Sequence, residues 1–313
     1  MPIFRKVAIT ATLVIAFLAC DPPSAPTPPP PTTSTTTAPP PHNPGAPFSW
    51  EGTRGILWFP GTQADAGQIE AVHTYAKAQG WPRITWHVCS ETVEWEGTPW
   101  LDAPWGDVFG DENLTALRRF LDVTAHLGDQ VLLDVFCTVR DNHGWMSANW
   151  EMYLHTLAEI VREYEHVAIH VANEPWHPSS WLRTDLNAKL RRAKEILRSG
   201  GFMGLVGADD NIGCPGCSFT YGLNEMDWAD FHPYRNPNPT RAALRRIYQA
   251  NRKPVVISEP VAYSAWRDGA CCTANRAEVQ RYICDGEAEG IVMFYHSTDG
   301  LEGLTFSWLP GAC

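Results

Sequence analysis

Two glutamates in this sequence stand in nearly the same local context, each after an apolar run and directly before a proline. Glu174 lies in Asn173-Glu174-Pro175, which follows the apolar run 166–172, and Glu259 lies in Ser258-Glu259-Pro260. Burying one unpaired carboxylate costs free energy, and burying two that face one cleft costs more. The pattern therefore indicates that the two carboxylates interact for a chemical purpose.

Retaining glycoside hydrolysis uses such a pair directly, with the two carboxyl groups about 5–5.5 Å apart. One group protonates the departing oxygen, and the other attacks the anomeric carbon to form a covalent glycosyl-enzyme. Repulsion between the two charges helps to keep the acid protonated near neutral pH. Once the nucleophile is consumed as an ester, that repulsion vanishes, and the first group can ionise and activate water.

Alternating strand-like and helix-like patterns must position these glutamates. Apolar runs predict eight strands, at 54–60, 83–89, 130–137, 166–172, 202–209, 227–234, 253–259 and 291–297. Amphipathic segments predict helices at 64–80, 112–128, 148–164, 181–200, 240–251 and 275–290. This alternation implies parallel pairing, and eight such strands in about 260 residues predict an α/β fold, a single-domain (β/α)8 TIM barrel.

The predicted barrel lacks a full helix in two places. The segment after the fifth strand is typical of a loop and not of a helix. Only sixteen residues follow the eighth strand, too few for a full closing helix, and Cys313 is expected to pin this tail. An open doubly wound sheet is the competing architecture, and the absence of a glycine-rich phosphate loop after the first strand counts against it.

The predicted strand ends resemble those of the large clan of (β/α)8 retaining glycoside hydrolases, including its cellulase and mannanase family. The likeness lies in "ANEP" on the fourth strand, "FHPY" on the sixth and "SEP" on the seventh. It implies that Glu174 is the acid/base, that Glu259 is the nucleophile and that Asn173 binds the sugar 2-hydroxyl. It also implies that His232 and Tyr234 orient the carboxylates and the sugar.

The sequence departs from that family at two strands. The second strand ends in "TWHVCS" without the arginine that is common there, and the eighth ends in Tyr295 and His296 where a tryptophan is common. Either Tyr295 or His296 is expected to replace that tryptophan at the sugar. Trp176 and Trp266, with other loop tryptophans, are expected to line a saccharide cleft, because indole rings can stack on apolar sugar faces. Packing within the loops is the alternative.

The amino-terminal region predicts export. Arg5 and Lys6 precede an apolar stretch, 7–19, that suits a signal peptide and is short for a membrane span. The stretch ends in "AFLAC", which resembles a lipobox in which Cys20 is lipidated, and ordinary signal cleavage nearby is the alternative. We therefore expect a cell-surface or periplasmic lipoprotein, or otherwise a secreted protein. The expected divisions are a signal over 1–20, a Pro/Thr-rich linker over 21–47 and a catalytic barrel over 48–313.

The cysteine count agrees with export. Nine cysteines leave eight once Cys20 is set aside, and this even number suggests up to four disulfides. Cys89 with Cys137, and Cys214 with Cys217, are the leading pairs. The Cys-x-x-Cys spacing of the second pair also fits a thiol-disulfide oxidoreductase, although a structural disulfide suits an exported chain better.

Composition and net charge limit the classes of molecule that the protein is expected to bind. The net charge of −11 opposes binding to nucleic acid and is compatible with a neutral polysaccharide or oligosaccharide substrate. Contact with a membrane is expected only through the lipid anchor, and the chain is expected to act as a monomer. No cofactor is expected, because two carboxylates supply the chemistry. No metal site is expected either, since no zinc ligand set stands out and Asp209-Asp210-Asn211 is interpreted as a polar loop and not a calcium site.

These features together predict a retaining glycoside hydrolase that cuts internally within a β-linked glucan or mannan. The main alternative is a non-catalytic carbohydrate-binding lipoprotein on a barrel scaffold, which would keep the tryptophans without a working carboxylate pair.

Overall fold

The computed structural model shows a closed barrel of eight parallel strands, which confirms the predicted TIM barrel. The structure describes residues 44–90, 111–137, 144–173, 175, 180–210, 226–232, 240–250, 253–260, 262–263, 273–297 and 306–313. The barrel strands are β1 (Arg54–Leu57), β2 (Ile84–Cys89), β3 (Gln130–Phe136), β4 (Val167–Ala172), β5 (Val206–Asp210), β6 (Trp228–Phe231), β7 (Val255–Ile257) and β10 (Val292–Tyr295). Around the barrel they follow the order β1-β10-β7-β6-β5-β4-β3-β2.

Six α-helices occur in the described ranges, fewer than the eight of a full barrel. They are α1 (Ala66–Ala78), α2 (Asp111–Leu127), α3 (Gly144–Val161), α4 (Leu186–Ser199), α5 (Arg241–Ala250) and α6 (Arg276–Ala288). A short 3-10 helix, Phe59–Gln63, follows β1, and a small two-stranded sheet joins β8 (Ala262–Tyr263) to β9 (Thr273–Ala274). Within the described ranges, no helix has both the length and the apolar character needed to cross a bilayer.

Alternate strand residues separate the outer core from the barrel interior. Residues such as Trp86, Leu133 and Ile169 belong to the large core beneath the helices. The neighbouring positions form a smaller interior cluster of Leu132, Ala168, Trp228, Val256 and Phe294.

Two glycines make room for the largest interior rings. A Cβ at Gly55 would lie 2.1 Å from the ring of Phe294, and one at Gly207 would lie 2.2 Å from the ring of Trp228. Both glycines are therefore required by close packing, and the two rings fill the lower interior of the barrel.

The amino end of the barrel is closed by the segment 44–50. Pro44 O accepts from Glu165 N at 2.7 Å, and Phe48 N donates to Glu165 O at 2.9 Å. Phe48 and Trp50 meet edge to face with ring centroids 4.7 Å apart, and Trp50 lies 5.2 Å from Trp228. This segment therefore covers the aromatic floor of the barrel from below.

Two disulfides occur in the described part of the chain, as suits an extracellular or periplasmic protein. Cys89–Cys137 joins the ends of β2 and β3, as the sequence predicted. Cys284–Cys313 ties the carboxyl-terminal tail to α6, which confirms the expectation that Cys313 pins the tail. The tail is held further by Arg54, which donates to Gly311 O at 2.6 Å and pairs with Glu287.

We predict that Trp50→Ala lowers the free energy of unfolding by about 2–3 kcal/mol, because it removes a half-buried aromatic ring from the closed end of the barrel. Urea unfolding followed by far-UV circular dichroism measures the change. Met203→Ala is the control, because Met203 is 79% exposed and its loss should cost less than about 0.5 kcal/mol. Equal effects for the two variants would show that segment 44–50 does not support the barrel.

Candidate active site

Buried titratable side chains gather at the rim, meaning the carboxyl ends of the barrel strands, and in the interior directly below it. Parallel strands bring these ends to one side of the barrel, so side chains far apart in sequence meet there. The set comprises His87, Asp134, His170, Asp209 and Asp230 within strands, with His232, Glu259 and His296 just after β6, β7 and β10.

Glu259 lies at the rim and is held by a histidine of the neighbouring strand end. Glu259 is only 8% exposed, and its Oε2 lies 3.3 Å from His232 Nδ1. On its other side, His232 Nε2 lies 3.3 Å from Asp209 Oδ2 and 3.4 Å from Ser258 Oγ. The contact places the Glu259 carboxylate beside an imidazole that also meets Asp209 and Ser258.

Asp230 fixes the residue immediately before Glu259. Its carboxylate accepts from Ser258 N at 2.9 Å and from Phe231 N at 2.7 Å, and it also accepts from the Ser258 hydroxyl. Because Asp230 is fully buried, these bonds are shielded from water. The backbone that presents Glu259 is therefore tied to the adjacent strand.

A buried histidine links Asp230 to a second carboxylate. His170 Nε2 lies 3.5 Å from Asp230 Oδ2, and His170 Nδ1 lies 3.2 Å from Asp134 Oδ2. His87 Nε2 approaches the same Asp134 oxygen at 3.4 Å. We call His87, Asp134, His170 and Asp230 the inner cluster; all four are 0% exposed.

Charge in the inner cluster is set by competition between burial and pairing. Burial alone would raise the pKa of Asp134, but the charge of His170 and contacts with both histidines lower it overall. Burial alone would lower the pKa of His170, but Asp134, followed by Asp230 and Asp209, raises it overall. For His87, burial prevails and the pKa is lowered. The result is an ionised Asp134 between a protonated His170 and a neutral His87.

Two overlapping sets of residues in this region each bring three potential ligand atoms close enough to share one metal ion. The first set is His87, Asp134 and His170, and the second is His170, Asp209 and Asp230. Asp209 and Asp210 lie in β5, so the interpretation of Asp209-Asp210-Asn211 as a polar loop is wrong for these two residues. Strand alternation turns the Asp209 side chain inward, where it is 2% exposed. Asn211 lies outside the described residues.

Asn173 stands at the end of β4, three strand positions from β7 in the ring of strands. It is 8% exposed, and its backbone N–H donates to Phe136 O at 3.2 Å. Its Oδ1 has no hydrogen-bond partner in the part of the chain that the structure describes. The amide oxygen is therefore left for another group.

The two residues expected to replace a tryptophan have different environments. His296 lies at the rim and its Nδ1 is 2.9 Å from Pro260 O, beside the Glu259 segment. Tyr295 is 0% exposed and packs on the outer side of the barrel, with its ring 6.1 Å from Phe306 and 5.6 Å from Trp308. Tyr295 is therefore not placed to stack on a sugar, because consecutive strand residues face opposite sides.

Several predicted site residues lie outside the described residues: Glu174, Tyr234, Trp176, Trp266, Cys214, Cys217 and Cys20. Pro175, next to Glu174, is described and buried. The structure therefore brings together Glu259, His232 and His296 and places Asn173 at the end of β4. It leaves the distance between the two glutamates as a prediction.

The inner cluster was missed by the sequence analysis, although a signal for it exists. Each member is a lone polar residue within an apolar run, in "TWHVC", "LLDVF", "AIHVA" and "WADF". Central strands of a parallel barrel are buried on both faces, so a single polar residue in such a run must point at another polar group.

Comparisons with known proteins support the fold. No protein-family profile matches the chain, and no curated protein sequence matches it. Among solved structures, a candidate glycoside hydrolase from Bacteroides vulgatus is similar with a TM-score of 0.59 at 16% identity, over 84% of this chain. This chain spans only 54%, about half, of the length of that structure.

Two further structures are similar over most of their own lengths. The endo-1,4-β-mannanase from Rhizomucor miehei gives a TM-score of 0.54 at 12% identity, covering 78% of this chain and 85% of its own. An endocellulase from Pyrococcus horikoshii gives 0.52 at 16% identity, covering 82% and 87%. At these identities the likeness shows a shared fold, so the resemblance to cellulase and mannanase barrels is confirmed for the architecture.

We predict that Asp230→Asn lowers the free energy of unfolding by about 3 kcal/mol, because the change leaves His170 facing a neutral amide and removes one acceptor from a buried network. Chemical denaturation measures the loss. Glu151→Gln is the control, because the Glu151–Arg192 pair is about half exposed and should contribute less than about 1 kcal/mol. A loss no larger than the control's would contradict the network described above.

Proposed function

We propose that the protein is a retaining glycoside hydrolase that cuts internally within a β-linked polysaccharide, a glucan or a mannan. The observation that carries the proposal is the nearly buried carboxylate of Glu259 at the rim, in contact with His232 from the next strand end. A (β/α)8 barrel with reactive groups at this end suits the reaction, and barrels of this fold include a mannanase and an endocellulase.

In the proposed reaction, Glu259 is the nucleophile. His232 contacts its carboxylate, and Asp209 on the far side of the ring holds the imidazole in that orientation. The bonds between Asp230 and Ser258 hold the adjoining backbone, which limits the movement of Glu259. Attack on the anomeric carbon breaks the glycosidic bond and forms an ester to Glu259.

Glu174 is proposed as the acid/base. It follows Asn173 at the end of β4, three strand positions from β7 around the barrel, so its carboxyl group would face Glu259 across the opening. Its proton passes to the departing sugar oxygen in the first step. In the second step its carboxylate takes a proton from water, whose oxygen displaces Glu259 from the anomeric carbon. The Oδ1 of Asn173, which has no hydrogen-bond partner within the described ranges, is proposed to accept from the 2-hydroxyl of the bound sugar.

The size of the proposed substrate agrees with an exported protein. A polysaccharide is too large to enter a cell, so an enzyme that cuts it must be exported, as the disulfides of this chain suggest. Lipidation of Cys20 would anchor the protein, and residues 21–43, at about 3.1 Å per residue, could hold the barrel roughly 70 Å from the membrane. Trp176 and Trp266 are proposed to stack on sugar rings on either side of the cleavage point, with the protein acting as a monomer.

Substitution of the two glutamates tests the mechanism. Glu259→Gln should lower kcat by at least about 10³-fold, because the amide cannot form the glycosyl ester. Glu174→Gln should lower kcat by about 10²–10⁴-fold on polysaccharide but much less on aryl glycosides, whose leaving groups need little protonation. Release of reducing ends from a polysaccharide panel, with products separated by size, measures both effects.

Glu151→Gln serves as the matched control, because Glu151 lies on the exposed surface of α3 and should leave kcat unchanged. Proton NMR of the first product anomer reports the stereochemistry, and retention is expected. Full activity of Glu259→Gln, or an inverted first product, would overturn the proposal. Binding of the polysaccharide without any cleavage by the wild-type protein would favour a non-catalytic carbohydrate-binding role.

A further inference from the structure

Three members of the inner cluster bring polar atoms together without completing hydrogen bonds. Both ring nitrogens of His87, both nitrogens of His170 and both carboxylate oxygens of Asp134 lack a partner of hydrogen-bonding geometry in the described part of the chain. All three residues are 0% exposed. Burying polar groups without hydrogen-bond partners costs free energy. Three residues with such groups around one point therefore require an explanation.

The separations between their atoms match ligands that share one small ion. His87 Nε2 and Asp134 Oδ2 are 3.4 Å apart, and His170 Nδ1 and Asp134 Oδ2 are 3.2 Å apart. Ligands bound tetrahedrally to zinc at about 2.0–2.1 Å lie roughly 3.3–3.4 Å from each other. The same separations are long for direct hydrogen bonds between charged groups, which are nearer to about 2.8 Å.

A carboxylate also lies on the other side of the His170 ring. Its second nitrogen, Nε2, faces Asp230 Oδ2 at 3.5 Å, and Asp230 is itself fixed by Ser258 and by Phe231 N. Histidines that bind metals commonly direct the other ring N–H at a carboxylate, which fixes the tautomer and the ring orientation. The ring of His170 is also stacked on Trp228, with centroids 5.5 Å apart.

Charge balance also favours a cation at this point. Two buried acidic side chains, Asp134 and Asp230, flank the ring of His170. Within the described ranges, Arg54 is the one Arg or Lys in the buried class, and it pairs with Glu287 at the amino end of the barrel. A divalent ion would place positive charge beside these buried acidic groups.

We propose that His87 Nε2, Asp134 Oδ2 and His170 Nδ1 bind one divalent transition-metal ion, zinc by ligand type, inside the barrel below the rim. Two imidazoles and a carboxylate form a set that zinc accepts. The ion binds His170 at Nδ1, and Nε2 lies on the side of the ring that faces Asp230. Because the ligands are fully buried, the ion is structural and enters as the barrel folds.

The metal content of the purified full chain tests this proposal without any assay of activity. The protein is expressed with zinc in the medium, dialysed against metal-free buffer and analysed by inductively coupled plasma mass spectrometry. We expect about one zinc per chain. Unfolding in the presence of a chelator followed by refolding should give a metal-free protein whose Tm is lower by roughly 5–10 °C, and added zinc should restore it.

Substitution of the proposed histidine ligands tests where the ion binds. His87→Leu and His170→Leu should each lose the bound metal, and cobalt added to the metal-free wild type should give the visible absorption of a tetrahedral ion. His166→Leu is the control: His166 is also buried in the barrel wall but contacts Thr124 and Pro44 O, so its metal content should not change.

If the Leu variants fail to fold, the wild-type protein still decides the matter. Zinc below about 0.1 per chain after expression, with no rise in Tm on adding zinc, cobalt or nickel, would overturn the proposal and leave a protonated His170 as the link between Asp134 and Asp230. Loss of metal from His166→Leu but not from His87→Leu would place the ion elsewhere. Neither result would alter the proposed roles of Glu174 and Glu259, which are measured separately by sugar release.

Discussion

The contact between Glu259 and His232 connects the rim of the barrel to its interior, and the other polar side chains are arranged behind it. His232 reaches Asp209, Asp230 holds Ser258, and His170 joins Asp230 to Asp134. A carboxylate at this depth needs compensation from groups of opposite charge or from donors, because water reaches it poorly. The interior of this barrel therefore carries acids and imidazoles in alternation where an ordinary barrel would carry aliphatic side chains.

Such a polar interior needs a rigid apolar frame. Trp228 and Phe294 form a floor beneath the inner cluster, and Gly207 and Gly55 leave the space that these rings occupy. Trp50 closes the barrel below that floor. Large rings in fixed positions leave the imidazoles little room to move, so each histidine keeps the orientation in which it meets its carboxylate.

Two disulfides tie separate parts of the barrel together. The Cys284–Cys313 disulfide secures the carboxyl-terminal tail to α6, and Arg54 joins the same tail to β1. Cys89–Cys137 joins neighbouring strand ends at the rim, on the side away from Glu259. Both ties depend on an oxidising environment, in agreement with a protein that works outside the cytoplasm.

Periodicity and local residue patterns determined the architecture of this protein. Apolar runs that alternate with amphipathic segments are local signals, and they identified all eight barrel strands, the six helices, Cys89–Cys137 and the rim position of Glu259. The inner cluster depended on tertiary structure, because the closed ring of strands decides which inward-facing side chains meet. His87, Asp134 and Asp230 are distant from His170 in sequence and become its neighbours only when the strands pair and the sheet curves into the barrel. The same closure turned Tyr295 outward and Asp209 inward, since the face on which a strand residue lies depends on the register with its neighbours and not on its own type.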